Sequence, residues 1–471
     1  MDERFITSID LGSSKFAITV AKVDGEDIQI LYYKETPSDG VRYSTIFNPM
    51  KVTNSLREAV REAEDELHLK IIQAVTGLSR NCIKQETAQA SDERNGGCIT
   101  KEEVESMKSL ALDSYPLNDT SKEEIYGAVA QSYSTEDAFQ QIESDIIGMP
   151  GERLEGNYLV FVGSRRATGN IDTVFNNLGI AIARKYFVPE VTAKAVLKND
   201  ELENGVAIID FGAGVTSVSV YQGNIMRHFA SIPFGGQTIT NDIKTESGIS
   251  GRLAENIKLA YGVCMPDRLL SLSEKFIQVD LDGSTVQITL KYLSEIITTR
   301  VKEIIDAILY EIQLSGYADR LRSGIVLTGG GANLTNCANY IKALSGYNVR
   351  IGFPKHLFSC DGLSGVMETE AVTSMGMILA AKNDRVTNCV SSERITPEEK
   401  VPIALVKETV RQPDPAPLQD NGNADTGVLI APEEFGEKEK KPKAPKKKYS
   451  WIKKAQAFVG SLYDDSNDEN V

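Results

Sequence analysis

Residues 205–224 read GVAIIDFGAGVTSVSVYQGN, and residues 5–25 read FITSIDLGSSKFAITVAKVDG. Both stretches run from an apolar strand through Asp-x-Gly and a tight turn into a second strand of alternating apolar residues. The aligned pairs are Asp10 with Asp210, Gly12 with Gly212, and residues 16–20 with 216–220. This repetition predicts two related lobes, each built around one strand–turn–strand unit. The alternative is two unrelated hairpins that share Asp-x-Gly by chance.

The two turns have the composition of phosphate-binding loops. Consecutive backbone N–H groups at such a turn can bind an anion, and small residues allow a phosphate to approach. Those small residues are Gly12, Ser13 and Ser14 in the first turn, and Gly212, Ala213 and Gly214 in the second. Lys15 would add a positive charge beside the β- or γ-phosphate. Asp10 and Asp210, one from each lobe, would hold Mg²⁺ through water, since magnesium usually keeps several waters.

A third glycine-rich loop lies further along the chain. Residues 325–333, IVLTGGGAN, predict a strand, then Gly329, Gly330 and Gly331, then a helix. Bare backbone at such a loop admits a flat ring or a phosphate. One loop of this kind is a weak indication of function. All three loops in this order, together with the duplication, indicate a functional site.

The remaining chain divides around these loops. The predicted units are a first-lobe core at 1–80 and 166–204, an inserted polar subdomain at 81–165, a second lobe at 205–382 whose last helices return to the first lobe, a disordered linker at 383–448 and an amphipathic helix at 449–464. A capping box at Thr100 opens a helix within the insertion. The linker is predicted because its apolar density falls while proline and acidic residues accumulate.

The order of the loops resembles that of the actin, Hsp70 and sugar-kinase superfamily. The motifs that carry this resemblance are IDLGSSK, IDFGAGVTS, LTGGGAN and ETEAVTSMGMILA. Further motifs, SDIIGMPGERLE, PFGGQTITNDI, AENIKLAYG and the amphipathic tail, are similar to the FtsA family of bacterial cell-division proteins. This resemblance covers about 1–382 plus the final helix. It implies an α/β, two-lobed actin-like ATPase fold, with a small α+β subdomain inserted in the first lobe in place of one actin subdomain.

The same resemblance implies that ATP lies between the lobes. Gly235 and Gly236 would approach the phosphates, and Glu255 and Lys258 would flank the ribose and adenine. Residues 329–331 would form the floor under the adenine ring.

Two departures from the family's pattern bear on catalysis. The position that orients the attacking water in actin relatives falls at Lys194, and a lysine cannot accept a hydrogen bond. Ser217 stands where many family members carry an acidic residue in the second phosphate loop. We therefore expect ATP binding with at most slow hydrolysis and assign no catalytic residue.

The family resemblance also implies partners. An adaptor of this kind assembles head to tail with itself at the division site, tethers the FtsZ ring to the cytoplasmic face of the inner membrane, and recruits later division proteins through the inserted subdomain. The motif LSEIITTRVKEI makes Arg300 a candidate for pairing with the acidic C-terminal tail of FtsZ. The alternative is that Arg300 is a solvated or intramolecular surface charge.

The C-terminal segment 449–464 predicts a helix with one apolar face, too short to span a bilayer. Its membrane-facing residues are Trp451, Ile452, Phe458, Val459 and Leu462, and Lys453 and Lys454 take the opposite face. The single tryptophan suits the headgroup layer, and the lysines favour anionic lipid. We predict a reversible membrane-surface helix; the alternative is a helix that docks on the protein's own core or on a partner.

Composition and charge argue against several other classes of function. The chain has 471 residues and a net charge of -15, so nucleic-acid binding through its overall field is not expected. Six scattered cysteines without zinc or disulfide spacing indicate reduced thiols. The N-terminus lacks the pattern of a signal peptide. The remaining alternatives are a small-molecule kinase of the same superfamily, an Hsp70-like chaperone and an actin-like protein of pilus assembly.

Overall fold

The structure, a computed structural model, describes residues 3–265, 275–281, 284–360, 362–391 and 428–430. The described chain folds into two lobes, each centred on a five-stranded sheet, with a smaller three-stranded sheet set into the first lobe. This arrangement confirms the predicted two-lobed α/β fold.

The first lobe and its insertion occupy the N-terminal part of the chain. Their elements are β1 (Arg4–Leu11), β2 (Lys15–Asp24), β3 (Asp27–Pro37), β4 (Val41–Arg42), β5 (Thr45–Ile46), α1 (Pro49–Leu67), β6 (Lys70–Ile71), β7 (Gln73–Gly77), β8 (Lys84–Glu93), α2 (Lys101–Asp113), β9 (Glu123–Ser134), α3 (Glu143–Ile146), β10 (Arg153–Ser164), α4 (Arg165–Leu178), β11 (Ala181–Tyr186) and α5 (Val188–Val196). The main sheet has the order β11-β7-β1-β2-β3. Strands β1 to β3 are antiparallel, and β7 and β11 continue the sheet in parallel.

The second lobe repeats this topology. The elements that follow are α6 (Asn199–Asn204), β12 (Val206–Phe211), β13 (Thr216–Gln222), β14 (Ile225–Ile232), α7 (Gly236–Ser247), α8 (Gly251–Tyr261), β15 (Phe276–Leu281), β16 (Ser284–Thr289), α9 (Leu290–Leu314), β17 (Ile325–Thr328), α10 (Cys337–Ser345), β18 (Val349–Ile351), α11 (Val372–Asn383), β19 (Val390–Ser391) and β20 (Val428–Ile430). The sheet order is β14-β13-β12-β17-β18, with the same antiparallel and parallel pairings. The duplication seen in the sequence is therefore a duplication of sheets.

Local sequence explains where these elements begin and lie. The predicted capping box is present at α2, where Thr100 Oγ1 accepts from the Glu103 N–H and Glu103 accepts from the Thr100 N–H. Helix α11 is buried from Val372 to Ala381, because it packs against α5 and β1. A helix that is apolar on every face belongs in the core rather than on the surface.

The insertion is a small α+β unit with its own apolar core. Its sheet has the order β8-β10-β9, and α2 packs against β8 and β10. The buried residues include Ile99, Val104, Met107, Tyr133 and Tyr158. The predicted α+β insertion is thus confirmed as part of the fold.

The structure differs from the predicted linker at two places. Residues 390–391 pair with β6, and the Cys389 N–H donates to the Phe5 carbonyl at 2.7 Å. Residues 428–430 form a third strand beside β15. Cys389 and Val390 are apolar and buried, and residues 428–430 are a short apolar run suited to a strand edge. The described part of the predicted linker therefore contains these two short paired segments.

The predicted membrane helix, 449–464, lies outside the described residues. Within the described ranges, no helix is both long and apolar enough to cross a membrane.

Candidate functional site

A cavity of about 770 Å³ lies between the two lobes. Its volume is within the range of small-molecule sites. Every residue predicted for the nucleotide site lines it except Gly235: these are Asp10, Gly12, Ser13, Ser14, Lys15, Asp210, Gly212, Gly214, Gly236, Glu255, Lys258, Gly329, Gly330 and Gly331. Residues separated by up to about three hundred positions in sequence therefore converge on one cleft.

The two phosphate loops have equivalent geometry and touch each other. A Cβ on Gly12 would lie 2.5 Å from the Lys15 carbonyl oxygen, and one on Gly212 would lie 2.7 Å from that of Val215. Both turns close so tightly that only glycine fits. A Cβ on Gly214 would lie 2.6 Å from Ser13 Oγ, which places the loops of the two lobes in contact.

Gly235 packs against the backbone of the second phosphate loop. A Cβ there would lie 2.4 Å from the Gly212 carbonyl oxygen. The next N–H groups, of Gly236 and Gln237, donate to the carbonyls of Gly212 and Ala213 at 3.0 and 2.8 Å. Gly235 thus positions the loop, whereas Gly236, at the start of α7, lines the cavity.

Lys258 is a buried anchor, with 8% of its surface exposed. Its Nζ donates to the Gly236 carbonyl (2.9 Å), Thr240 Oγ1 (2.8 Å) and Glu255 Oε2 (2.8 Å). Burial lowers the pKa of Lys258 below 10.5, against the attraction of Glu255. Because all three Nζ hydrogens are used, Lys258 holds α7 against α8, and the more exposed Glu255 is the member of the pair available to a ligand.

All three glycines of the third loop line the cavity, but Gly329 and Gly331 also pack tightly against other residues. Gly329 has φ +83°, and a Cβ there would lie 2.6 Å from Asp210 Oδ1. A Cβ on Gly331 would lie 2.4 Å from the ring of Phe211, which is fully buried. Gly330 is exposed, and a Cβ there would meet only Glu370 Cγ, at 3.7 Å. Gly330 is therefore the bare backbone that a flat ring would contact.

Arg80 is a cleft residue that the sequence did not predict. It follows β7 in the first lobe, and its Nη1 donates to Asp210 Oδ2 of the second lobe. A signal existed in the sequence, because loops at the carboxyl ends of parallel strands commonly bind ligands in open α/β sheets. Lys15, predicted to bind phosphate, is paired with Glu35 at the cavity wall.

The two aspartates predicted to hold Mg²⁺ through water both line the cavity. Burial raises the pKa of Asp10 above its ordinary value of 3.8, and the Arg80 charge offsets part of that rise. Asp210 accepts from Arg80 at Oδ2, and a Cβ added at Gly329 would lie 2.6 Å from its Oδ1. Among the described residues, no group of three or more acidic, histidine or cysteine side chains could hold a metal.

Residues with predicted roles outside the nucleotide site are also placed. Lys194 is exposed on α5 and does not line the cavity, and Ser217 is buried in β13 opposite Asp210. Arg300 on α9 donates to both oxygens of Asp242, at 2.6 and 3.0 Å, and to Glu303 at 2.6 Å. This geometry supports the intramolecular alternative for Arg300 in the isolated chain.

Proteins of one family match most of this chain in sequence. A family model described as cell division protein FtsA matches residues 207–376. The cell division protein FtsA of Neisseria meningitidis serogroup B is 30% identical over 384 residues, which cover 80% of this chain and 90% of that protein. The FtsA of Streptococcus pneumoniae serotype 2 is 28% identical over 432 residues, covering 88% and 91%.

A solved structure shares the fold. It is a chain of the PilM-PilN type IV pilus biogenesis complex, with a TM-score of 0.56, 14% identity, and coverage of 80% of this chain and 98% of that one. At this identity the likeness concerns the fold alone.

Proposed function

This chain belongs to the FtsA family of cell-division proteins, and from that premise we propose that it binds ATP in the cleft between its lobes. The observation that carries the proposal is the convergence of three glycine-rich loops, two of them duplicated, on one cavity of about 770 Å³. The phosphates would lie at Gly12 and Gly212, the ribose at Glu255, and the adenine ring over Gly330. The loops at Gly12 and Gly212 would offer backbone N–H groups to the phosphates, Glu255 a carboxylate to the ribose, and Gly330 bare backbone to the adenine ring.

ATP is proposed to act as an assembly ligand that is hydrolysed slowly. The support is that Lys194, at the position that orients the attacking water in actin relatives, does not line the cavity. A turnover above about one per second, comparable to ordinary enzymes, would contradict this proposal.

We further propose that the protein assembles head to tail on the cytoplasmic face of the inner membrane, attached by the helix at 449–464. Burial of its five large apolar side chains would contribute at most about 7–15 kcal/mol before ordering costs. Helix formation opposes this by about 1–2 kcal/mol per residue, so one helix anchors a monomer only marginally. A polymer carries many helices, and each later insertion is effectively intramolecular, so assembly strengthens attachment.

The assembled protein is proposed to tether the FtsZ ring and to recruit later division proteins through its inserted subdomain. For the ring, the candidate contact is Arg300, about a quarter of whose side-chain surface is exposed. An acidic tail would have to compete with Asp242 and Glu303 for this guanidinium, so the affinity of a single tail is expected to be modest.

Membrane attachment is tested with the chain's single tryptophan, Trp451. Anionic vesicles are titrated against the full chain, and the emission of Trp451 is followed with and without ATP. We expect a saturable blue shift that becomes steeper with ATP. Phe458→Asp, on the apolar face, should abolish the shift, whereas Gln456→Asp, on the polar face, should retain most of it. Absence of any shift in the unaltered chain would contradict membrane attachment.

The FtsZ contact is tested by fluorescence polarisation with a peptide of the FtsZ C-terminal tail. Arg300→Gln and Arg300→Glu should both weaken binding, the second more strongly because it adds a repulsive charge. Lys302→Glu, on the same helix but paired with Asp306, is the matched control and should bind nearly as well as the unaltered chain. Unchanged affinity in both Arg300 variants would remove Arg300 from the site.

A further inference from the structure

The insertion contacts the second lobe as well as the first lobe from which it emerges. It leaves the first lobe after β7 and returns to it at α4, yet its strands β8 and β9 pack against β14 of the second lobe. Strand β14 is an edge of the second lobe's sheet, and the backbone groups of an edge strand need partners outside that sheet. The insertion supplies such partners.

Two glutamines of the insertion bind this edge. Gln85 Oε1 accepts from the Phe229 N–H at 2.7 Å. Gln131 Nε2 donates to the Met226 carbonyl at 2.8 Å. Arg227 adds to this contact, since its Nη1 donates to the backbone carbonyl and the side-chain Oε1 of Gln131, at 3.1 and 3.2 Å. A side-chain amide carries both a donor and an acceptor, so glutamines can pair with the N–H and the C=O groups of a strand edge.

Beside these hydrogen bonds, one aromatic ring from each of the three units joins a buried cluster. Phe161 belongs to β10 of the insertion, Phe187 immediately precedes α5 of the first lobe, and Phe229 belongs to β14. Phe161 and Phe187 stack with their centroids 4.5 Å apart, and Phe229 meets both rings edge-on, at 6.0 and 5.4 Å. Since at most 5% of each residue is exposed, the cluster packs the insertion against both lobes.

This aromatic cluster lies next to the cavity between the lobes. Val188, the residue after Phe187 and the first of α5, lines that cavity. The loops at Gly12 and Gly212, one from each lobe, would have to bind the phosphates of one nucleotide together. Affinity for the nucleotide therefore depends on the spacing of the lobes, and a site already held in the bound arrangement loses less free energy to ordering when its ligand binds.

We propose that the insertion is a brace between the lobes: it holds β14 against the first lobe and thereby fixes the spacing of the two phosphate loops. The consequence for affinity rests on the proposed ATP-binding function, whereas the fixed spacing does not. Without the brace the lobes would populate a more open arrangement, in which Gly12 and Gly212 are too far apart to bind one nucleotide. The apparent dissociation constant would then rise in inverse proportion to the fraction of molecules that keep the correct spacing.

The spacing is measured on the full chain by pulsed electron paramagnetic resonance, with one spin label on each lobe. The labels are attached at two exposed positions, Glu66→Cys in α1 and Lys342→Cys in α10. The three cysteines that are not buried are first replaced by serine: Cys82, Cys98 and Cys360. With the brace intact we expect one narrow distance between the labels.

The double variant Gln85→Ala/Gln131→Ala removes the side-chain contacts to β14, and neither residue lines the cavity between the lobes. It should show a second, longer distance, and it should bind a fluorescent ATP analogue in excess magnesium about three- to tenfold more weakly. A threefold loss means that about a third of the molecules keep the correct spacing, so the longer distance should then be the major population. Gln89→Ala, at an exposed glutamine on the same strand as Gln85, is the matched control and should match the unaltered chain in both measurements.

The two measurements separate the possible outcomes. One narrow distance in the double variant would overturn the brace, and a second distance with unchanged affinity would overturn its effect on the cleft. No binding of the analogue by the unaltered chain would instead overturn ATP binding itself, and the distances would still decide whether the insertion fixes the spacing. If the double variant does not fold, as judged from its melting curve, the single variant Gln131→Ala is measured in the same two ways against the same expectations.

Discussion

Replacement of neighbouring glycines in the third loop should separate stability from ligand binding. Gly331 is buried, and the Cβ of Gly331→Ala would lie 2.4–2.7 Å from three ring atoms of Phe211. Real Cβ contacts lie near 3.4 Å or beyond, so the ring or the loop must move by about 1 Å. Phe211 has no exposed surface and its ring is surrounded by core residues, so the strain remains in the folded state.

The size of the effect follows from overpacking of a buried site. Such insertions destabilise by about 1–3 kcal/mol, and the loss of glycine entropy in the unfolded chain returns about 0.4–1 kcal/mol. With about 2–4 °C per kcal/mol in domains of 150–250 residues, and less in longer chains, Gly331→Ala should lower Tm by about 1–5 °C. Gly330→Ala meets only a distant Cγ, so its Tm should match or slightly exceed that of the unaltered chain.

Ligand binding should show a different pattern. Gly330 lines the cavity, as does Glu370, whose Cγ is the atom that a Cβ of Gly330→Ala would meet. This variant should therefore bind a fluorescent ATP analogue at least about tenfold more weakly while melting normally. The assays are differential scanning fluorimetry without ligand and a titration of the analogue. An unchanged affinity in Gly330→Ala would refute the placement of the adenine ring over this loop. An unchanged Tm in Gly331→Ala would refute the steric argument.

Other substitutions test single interactions, each read from the Tm of the unliganded chain. Burial raises the pKa of Asp10 in the folded state above 3.8, so protonation of Asp10 stabilises the folded state, and this stabilisation is lost as pH rises through that pKa. Asp10→Asn keeps the side chain neutral, so it should raise Tm at pH 7 but change it little near pH 4. Lys258→Ala removes the donor to a buried carbonyl and hydroxyl and should cost about 1–3 kcal/mol, so an unchanged Tm would contradict its role as an anchor. Gly163→Ala should destabilise the protein, because its Cβ would lie 2.2 Å from the Tyr126 ring. Gly169→Ala has no atom within 4 Å of its Cβ and lies inside α4, so it should stabilise by about 0.5–1 kcal/mol. A higher Tm for Gly163→Ala than for Gly169→Ala would contradict the packing of the insertion.

Much of the fold could be predicted from short stretches of sequence. Asp-x-Gly between two strands requires a tight turn, and the recurrence of this unit predicted two sheets of like topology, which the pairings at Asp10 and Asp210 confirm. The positions of glycines were informative because, at Gly12 and Gly212, a backbone carbonyl oxygen lies so close that a Cβ would not fit. Local chemistry decided these features, so local sequence was enough.

Features that depend on distant partners could not be predicted in the same way. The strand at residues 390–391 needs β6, more than three hundred positions earlier, and its two residues carry almost no pattern of their own. Gly235 was predicted to approach the phosphates, yet it packs behind the loop, because motif position does not tell which side of a glycine faces the ligand. Composition likewise predicted a linker across residues 428–430, where three apolar residues pair with a strand edge.

The duplication itself explains why a residue such as Arg80 is needed. Alignment of the two loops sets Lys15 of the first against Val215 of the second, so only the first loop carries its own basic residue. The second loop nevertheless has the same tight closure and the same preceding aspartate, and an anion there would meet an uncompensated carboxylate. Arg80 reaches across from the first lobe and supplies the missing positive charge. The two turns are therefore alike in backbone geometry, whereas the basic side chains beside them, Lys15 and Arg80, both come from the first lobe. Only the packing of the two lobes brings Arg80 to the second turn.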